Sequence, residues 1–111
     1  MKFISLQHIS IEDPGTFKDF LIEDGHSITT IQLDEGDSIP NNLDEFDAML
    51  CMGGPMDTFM EDQYPWLVAE KKAIGEYVLN LKKPFLGFCL GCQLLGEVLA
   101  VSYTHLRAHE T

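Results

Sequence analysis

A cysteine stands at position 89 with glycines two residues to either side, in Gly87-Phe88-Cys89-Leu90-Gly91. The apolar run 84–88 leads into it, and apolar residues at helical spacing follow. This layout suits a nucleophile elbow, a sharp strand-to-helix turn that exposes one reactive side chain. A side chain at Gly87 or Gly91 would crowd the backbone of such a turn. The turn aims the sulfur at the start of the next helix, whose unpaired N–H groups and dipole favour a thiolate. The chemistry to expect is covalent catalysis by Cys89.

A nucleophile of this kind needs a base and a place for developing negative charge. The backbone N–H of Leu90, just after the nucleophile, is one natural oxyanion donor. The second should come from a loop at the end of a neighbouring strand. Gly53-Gly54-Pro55 follows the apolar run 48–52 and fits that place. Glycine lets the backbone come close, and Pro55 stiffens the turn. The N–H of Gly54 is the expected donor. Alone, Gly-Gly-Pro reads as a plain tight turn; beside an elbow, the oxyanion reading is favoured.

Cys89 and Cys92 also form a Cys-x-x-Cys at a helix start, the spacing of a thioredoxin-like redox pair. That pattern does not require Gly87 and Gly91, and it leaves the Gly53-Gly54-Pro55 loop unexplained. Cys92 is expected in a small, packed position. No second ligand pair stands at zinc spacing, so no metal site is expected. Cys51, inside an apolar run, reads as core. His8 lies near the end of the first strand, where a structural or supporting role suits it better than that of the base.

The elements that must position these residues alternate. Residues 2–9 read as a strand, and Pro14-Gly15 as a turn. A short helix follows with Phe17, Phe20 and Leu21 on one face and Gly25 as its stop. A second strand is expected over 27–33, then a polar loop over 34–47 with one helical turn. The run 48–52 reads as a buried strand and 56–64 as a mobile segment. A helix is expected from Pro65 to about Lys82, with Leu67, Ile74, Val78 and Leu81 on one face. Strand 85–88 and a last helix bearing Leu94, Leu95, Val98 and Leu99 complete the order. Apolar strands alternating with amphipathic helices imply a three-layer α/β domain, a parallel sheet covered on both faces. Ligands bind at the carboxyl ends of such strands, where both glycine-rich sites fall.

The 111 residues suffice for one small domain, and 45% of them are hydrophobic. The formal net charge is −11, from 18 acidic and 7 basic residues. Nucleic acid and anionic membranes, which need a basic face, are therefore not expected partners. The acidic residues are scattered and read as a solvated surface. Three cysteines, an odd count, fit reduced thiols better than a disulfide framework. No run is long and apolar enough to span a bilayer, and residues 1–8 turn polar too soon for a signal peptide. The expected compartment is the cytoplasm.

Residues 101–111 break this pattern. They hold the chain's only arginine, Arg107, and two of its four histidines, His105 and His109. No glycine closes the preceding helix and no apolar strand begins. The segment resembles the translated read-through of a sequencing adaptor. On that reading it is a non-native tail, and the native protein continued past Ala100. A frayed C-terminal tail is the plainer reading.

Taken together, Met52-Gly53-Gly54-Pro55-Met56 and Gly87-Phe88-Cys89-Leu90-Gly91-Cys92-Gln93 resemble the oxyanion loop and elbow of class I glutamine amidotransferases. Gln7-His8, Pro14-Gly15 and Tyr64-Pro65-Trp66-Leu67 are similar to landmarks of small stand-alone members related to the amidotransferase part of GMP synthase. The resemblance runs through residues 1–100 and implies a flavodoxin-like fold, incomplete at the C-terminus. It implies that Cys89 attacks the side-chain amide of glutamine, giving a γ-glutamyl thioester and ammonia. Gly54 and Leu90 would hold the oxyanion, and Gly53, Pro55 and Gln93 would help bind the substrate. No cofactor is implied. The ammonia would go to a synthase subunit or a small-molecule acceptor.

The family's base is a histidine, oriented by a glutamate, in a His-x-Glu motif well after the elbow. Nothing here matches. His105 and His109 come too soon after the helix to return to the strand ends, and His109-Glu110 lacks the intervening residue. The fragment is expected to be inactive for want of this pair. Three alternatives stay open: an elbow-cysteine hydrolase or deglycase of the same superfamily, a Cys89/Cys92 thiol oxidoreductase, and a non-catalytic interaction domain.

Overall fold

The computed structural model describes residues 1–9 and 15–110, and of residues 101–110 the backbone alone. The expected turn residue Pro14 lies outside the described residues. In chain order the elements are β1 (Lys2–Gln7), α1 (Thr16–Glu23), β2 (Ser27–Gln32), β3 (Ala48–Cys51), α2 (Trp66–Gly75), β4 (Phe85–Gly87) and α3 (Leu90–Glu110). The strands form one parallel sheet in the order β2-β1-β3-β4. The chain thus starts in the sheet's interior and winds outward in both directions, the doubly wound pattern of flavodoxin-like folds.

Register decides what meets at the sheet's carboxyl edge. Leu6 pairs with Cys51, and Cys51 with Gly87. The residues just beyond this row are therefore neighbours: His8 after β1, Gly53 and Gly54 after β3, Cys89 after β4. Two backbone bonds extend the ladder past the strands, from Met52 N–H to the Leu6 carbonyl and from Phe88 N–H to the Cys51 carbonyl, each 2.9 Å.

One sheet face carries Ile4, Leu6, Ile31, Met49 and Cys51, and with Leu67, Ala73, Ile74, Tyr77, Leu90 and Leu94 it forms the core. The other face is buried at its centre, at Ser5, Gln7, Ala48 and Leu50, and less covered toward its edges. The apolar residues of α1 do not bury: Phe17 is 40% and Phe20 62% exposed, and α1 has no buried residue. The helix packs along β2, at the opposite edge of the sheet from β4. Leu86 of β4 consequently stays 46% exposed.

The connections are more structured than their composition suggests. The polar stretch 34–47 has two single-turn 3₁₀ helices flanking or within it, Leu33–Glu35 and Leu43–Glu45, whose leucines are buried. The segment 56–64, expected to be mobile, carries turn bonds from Met60 N–H to Asp57 O and from Tyr64 N–H to Met60 O. Glu61 in that segment reaches Lys71 of α2 at 2.6 Å. The helix expected to Lys82 changes winding at Glu76, where a π-helical turn runs to Asn80.

Tyr77 in this turn is fully buried and donates its hydroxyl to the Phe46 carbonyl at 3.0 Å. Burial first, then the charges of Asp47 and Asp44, push its phenol up to about 12. An unfolded tyrosine ionises near ~10, so on raising the pH the unfolded chain sheds this proton first. The stability that Tyr77 contributes is therefore complete below roughly pH 10 and falls as the pH rises toward 12. The urea midpoint should drop across this window. The drop should be shallower in Tyr77→Phe, which also costs about 1 kcal/mol for the lost hydrogen bond. Parallel pH profiles for the two proteins would contradict this.

Candidate active site

The strand-to-helix turn after β4 has the form of an elbow. Cys89 has a φ of 47°, a left-handed conformation that a side chain adopts only at a cost. Its carbonyl accepts the Gln93 N–H at 3.0 Å, and Gly91 N–H bonds the Phe88 carbonyl at 2.9 Å, so α3 starts directly from the turn. Both glycines are required by close approach. A Cβ on Gly87 would lie 2.7 Å from the Cys92 nitrogen, and one on Gly91 would overlap the Cys51 carbonyl. The elbow is thus pressed against the end of β3. Cys89 is exposed, as a nucleophile must be.

The Gly53-Gly54-Pro55 loop lies against this turn. A Cβ on Gly54 would stand 3.4 Å from Leu90 Cδ2, 3.0 Å from His8 Cβ and 2.6 Å from Met56 Sδ. A side chain here would have to displace the Met56 sulfur and would sit tight against His8 Cβ. Gly53 is buried, Gly54 half-buried and Pro55 exposed. Among the described residues, no acceptor pairs with the backbone N–H of Gly54 or of Leu90. Two free amide donors on adjoining loops beside an exposed thiol can stabilise an oxyanion on a carbonyl that the thiol attacks. Gln93, on the first turn of α3, is exposed.

Cys92 is not packed. It is exposed, because the buried stripe of α3 runs through Leu90, Gly91 and Leu94 and leaves position 92 on the solvent side. Cys51 is core as expected, at 0% exposure, but it is not alone there. Its thiol donates to Glu70 Oε2 at 3.4 Å. Burial, then the Glu70 charge, hold that thiol well above its ordinary range, so it stays protonated. The same Glu70 oxygen lies 2.5 Å from His8 Nε2, with both side chains fully enclosed. His8 Nδ1 faces the Gly53 carbonyl at 3.4 Å, long for a hydrogen bond, and its ring stacks on Trp66 with centroids 5.4 Å apart. One ligand atom from each of His8, Cys51 and Glu70 falls within 4.8 Å of the others, a spacing that a metal ion could accept.

Glu70 was the residue that motif reading missed. It lies three positions after Leu67 and four before Ile74, on the buried stripe of α2, where a carboxylate needs a partner. No described histidine reaches Cys89 as a base. His8 is enclosed, and His26 bonds the amino terminus at 3.0 Å at the start of β2, the far edge of the sheet. The α3 backbone runs unbroken through position 105, roughly 22 Å along the helix from its start.

The profile of the family described as glutamine amidotransferase class-I matches residues 17–110. The chain belongs to the class I glutamine amidotransferase family. Glutamine amidotransferase-like protein YfeJ of Salmonella typhimurium is 33% identical to it over 98 residues, which is 86% of this chain and 41% of the relative. The crystal structure of a glutamine amidotransferase from Thermotoga maritima superposes with a TM-score of 0.84 at 33% identity, covering 89% of this chain and 43% of that one. A Methylobacillus flagellatus glutamine amidotransferase gives 0.78 at 29% identity, covering 87% and 38%. The chain therefore spans less than half the length of these amidotransferases. No described helix is long and apolar enough to cross a membrane.

Proposed function

We propose that the full-length protein is a Cys-His-Glu glutamine amidotransferase with Cys89 as its nucleophile. The observation that carries this reading is the abutment of the strained, exposed Cys89 turn and the Gly53-Gly54-Pro55 loop. The Cys89 thiolate adds to the side-chain amide carbon of glutamine, and the carbonyl oxygen takes up negative charge. The N–H groups of Gly54 and Leu90 stabilise it. Collapse of this intermediate expels the amide nitrogen, which takes up a proton and leaves as ammonia. Water then cleaves the γ-glutamyl thioester, giving glutamate and the free thiol. Gly53, Pro55 and Gln93 line the approach and contribute to substrate binding. On this reading the protein resembles the amidotransferase part of GMP synthase, and the ammonia passes to a synthase subunit or to a small-molecule acceptor in the cytoplasm.

The base that serves Cys89, and the glutamate that orients it, belong to native sequence after Ala100. Residues 101–111 are a non-native tail on this reading. Purified 111-residue protein should accordingly release no ammonia from glutamine, while a γ-glutamyl electrophile should still label Cys89, with glutamine slowing it. Ammonia release that Cys89→Ala abolishes would overturn the assignment of the base beyond this chain. Labelling of Cys92 in place of Cys89 would overturn the assignment of the nucleophile.

A further inference from the structure

The buried His8–Glu70 pair adjoins the oxyanion loop, and the chemistry just described gives it no part. We propose that His8 is a positioning residue that sets the direction of the Gly54 N–H by holding the Gly53 carbonyl. This rests on the reading of Gly54 as an oxyanion donor. The Gly53 carbonyl and the Gly54 N–H belong to one peptide unit. That peptide bond is trans, so the two groups point in opposite directions across its plane. His8 Nδ1 faces the carbonyl, which lies on the buried side; Gly53 is buried and Gly54 half-buried. The N–H is thereby turned away from the His8 ring, and Leu90 of the elbow stands beside the same residue. Glycine on both sides of this peptide leaves its rotation cheap, so something must fix it.

The proton arrangement supports the same role. A carbonyl oxygen only accepts, so Nδ1 must carry a proton to hold it. Glu70 secures this. If Nε2–H donates to an ionised Glu70, a bare Nδ1 would leave a net negative charge enclosed in the core, which is costly without a compensating cation. If Glu70 instead keeps the shared proton and donates to Nε2, Nδ1 is again the protonated nitrogen. Both allocations give an Nδ1–H. The groups around the ring are the Glu70 carboxyl from α2, the Cys51 thiol from β3 bonded to the same oxygen, and the Trp66 ring from the start of α2. None of these competes for Nδ1.

The test uses two double variants of the full 111-residue chain. Both replace the buried carboxylate, so neither leaves an unpaired charge. His8→Leu/Glu70→Leu has no donor to Gly53; His8→Asn/Glu70→Leu places an amide N–H near the Nδ1 position. Crystal structures should show the Gly53–Gly54 peptide turned over in the first and retained in the second. Glutamic γ-semialdehyde should form a thiohemiacetal with Cys89, the sulfur adding to the aldehyde carbon and the thiol proton passing to oxygen. Its affinity should fall about 100-fold in the leucine variant and recover in the asparagine variant, the scale set by loss of one oxyanion donor. Iodoacetamide alkylation of Cys89, which needs no oxyanion donor, should change by no more than about twofold. A retained peptide in the leucine variant, or no difference between the two variants, overturns the inference. If wild-type Cys89 is alkylated but forms no thiohemiacetal, the glutamine reading fails, and the peptide orientation still decides the role of His8. In wild-type protein labelled with 15N-histidine, His8 should show a slowly exchanging Nδ1–H. A bare Nδ1 there overturns the proposal even if neither variant folds.

Discussion

Glu70→Ala should lower the stability of this chain by about 3–5 kcal/mol, the range for removing one partner of an enclosed pair. A domain of this size holds only about 5–15 kcal/mol in total, so the variant should lose most of its cooperative urea transition at room temperature. The cost has three sources. His8 Nε2 loses its partner at 2.5 Å, where both side chains are fully enclosed. The Cys51 thiol loses its acceptor. The removed side chain leaves a cavity beneath the ends of β1 and β3. The wild-type carboxylate is itself only partly satisfied, since its Oε1 has no hydrogen-bond partner among the described residues. A group with that penalty is a poor device for stability alone; what it does is tie α2 to the loop beside Cys89. Glu70→Gln keeps the shape and one acceptor, and should cost less than the alanine. Glu23→Ala, on the exposed end of α1, should change the unfolding free energy by no more than about 0.5 kcal/mol. A Glu70→Ala shift no larger than that of Glu23→Ala would refute this account.

The parts of the site readable in the sequence are those written in short spans. The elbow needs two glycines two residues either side of Cys89, and sterics at the turn impose that spacing wherever it occurs. The parallel sheet was readable because β3 and β4 are short continuous apolar runs and most strands are separated by helical patterns. The His8–Glu70 pair joins residues 62 positions apart, and nothing local to either names the other. Glu70 still left a trace, a carboxylate on the apolar stripe of α2, and Trp66 beside it covers the His8 ring. The expectation for Cys92 failed for a readable reason. With Leu90 and Leu94 buried, position 92, half a turn from both, must face outward on a 3.6-residue helix. Phe17 and Phe20 misled in the other direction, because an apolar helix face shows a need for burial without supplying what covers it.

Gly91→Ala should be among the most damaging single methyl additions in this chain, costing about 3 kcal/mol, at the upper end for overpacking. The added Cβ would overlap the Cys51 carbonyl, with the carbonyl carbon 2.8 Å away. That neighbour is backbone, held in place by the Phe88 N–H at 2.9 Å and by β3 pairing on both sides. It cannot give way as a side-chain tip could. The start of α3 must therefore lift off the sheet, carrying Leu90 away from Gly54 and releasing the positive φ at Cys89. Stability and the oxyanion pair should be lost together. The urea midpoint should fall, and the affinity of Cys89 for glutamic γ-semialdehyde should fall with it. Gly96 lies in the same helix, exposed, and a Cβ added there would meet nothing within 4 Å. At that position the same substitution removes only the entropic penalty of glycine in a helix and should stabilise by up to about 1 kcal/mol. The two alanines are chemically identical and separated by little more than one helical turn. Opposite signs would show that the close fit between elbow and strand end, and not helix propensity, governs position 91. A stabilising or neutral Gly91→Ala would mean that the elbow is not pressed against β3, and the geometry assigned to Cys89 would fall with it.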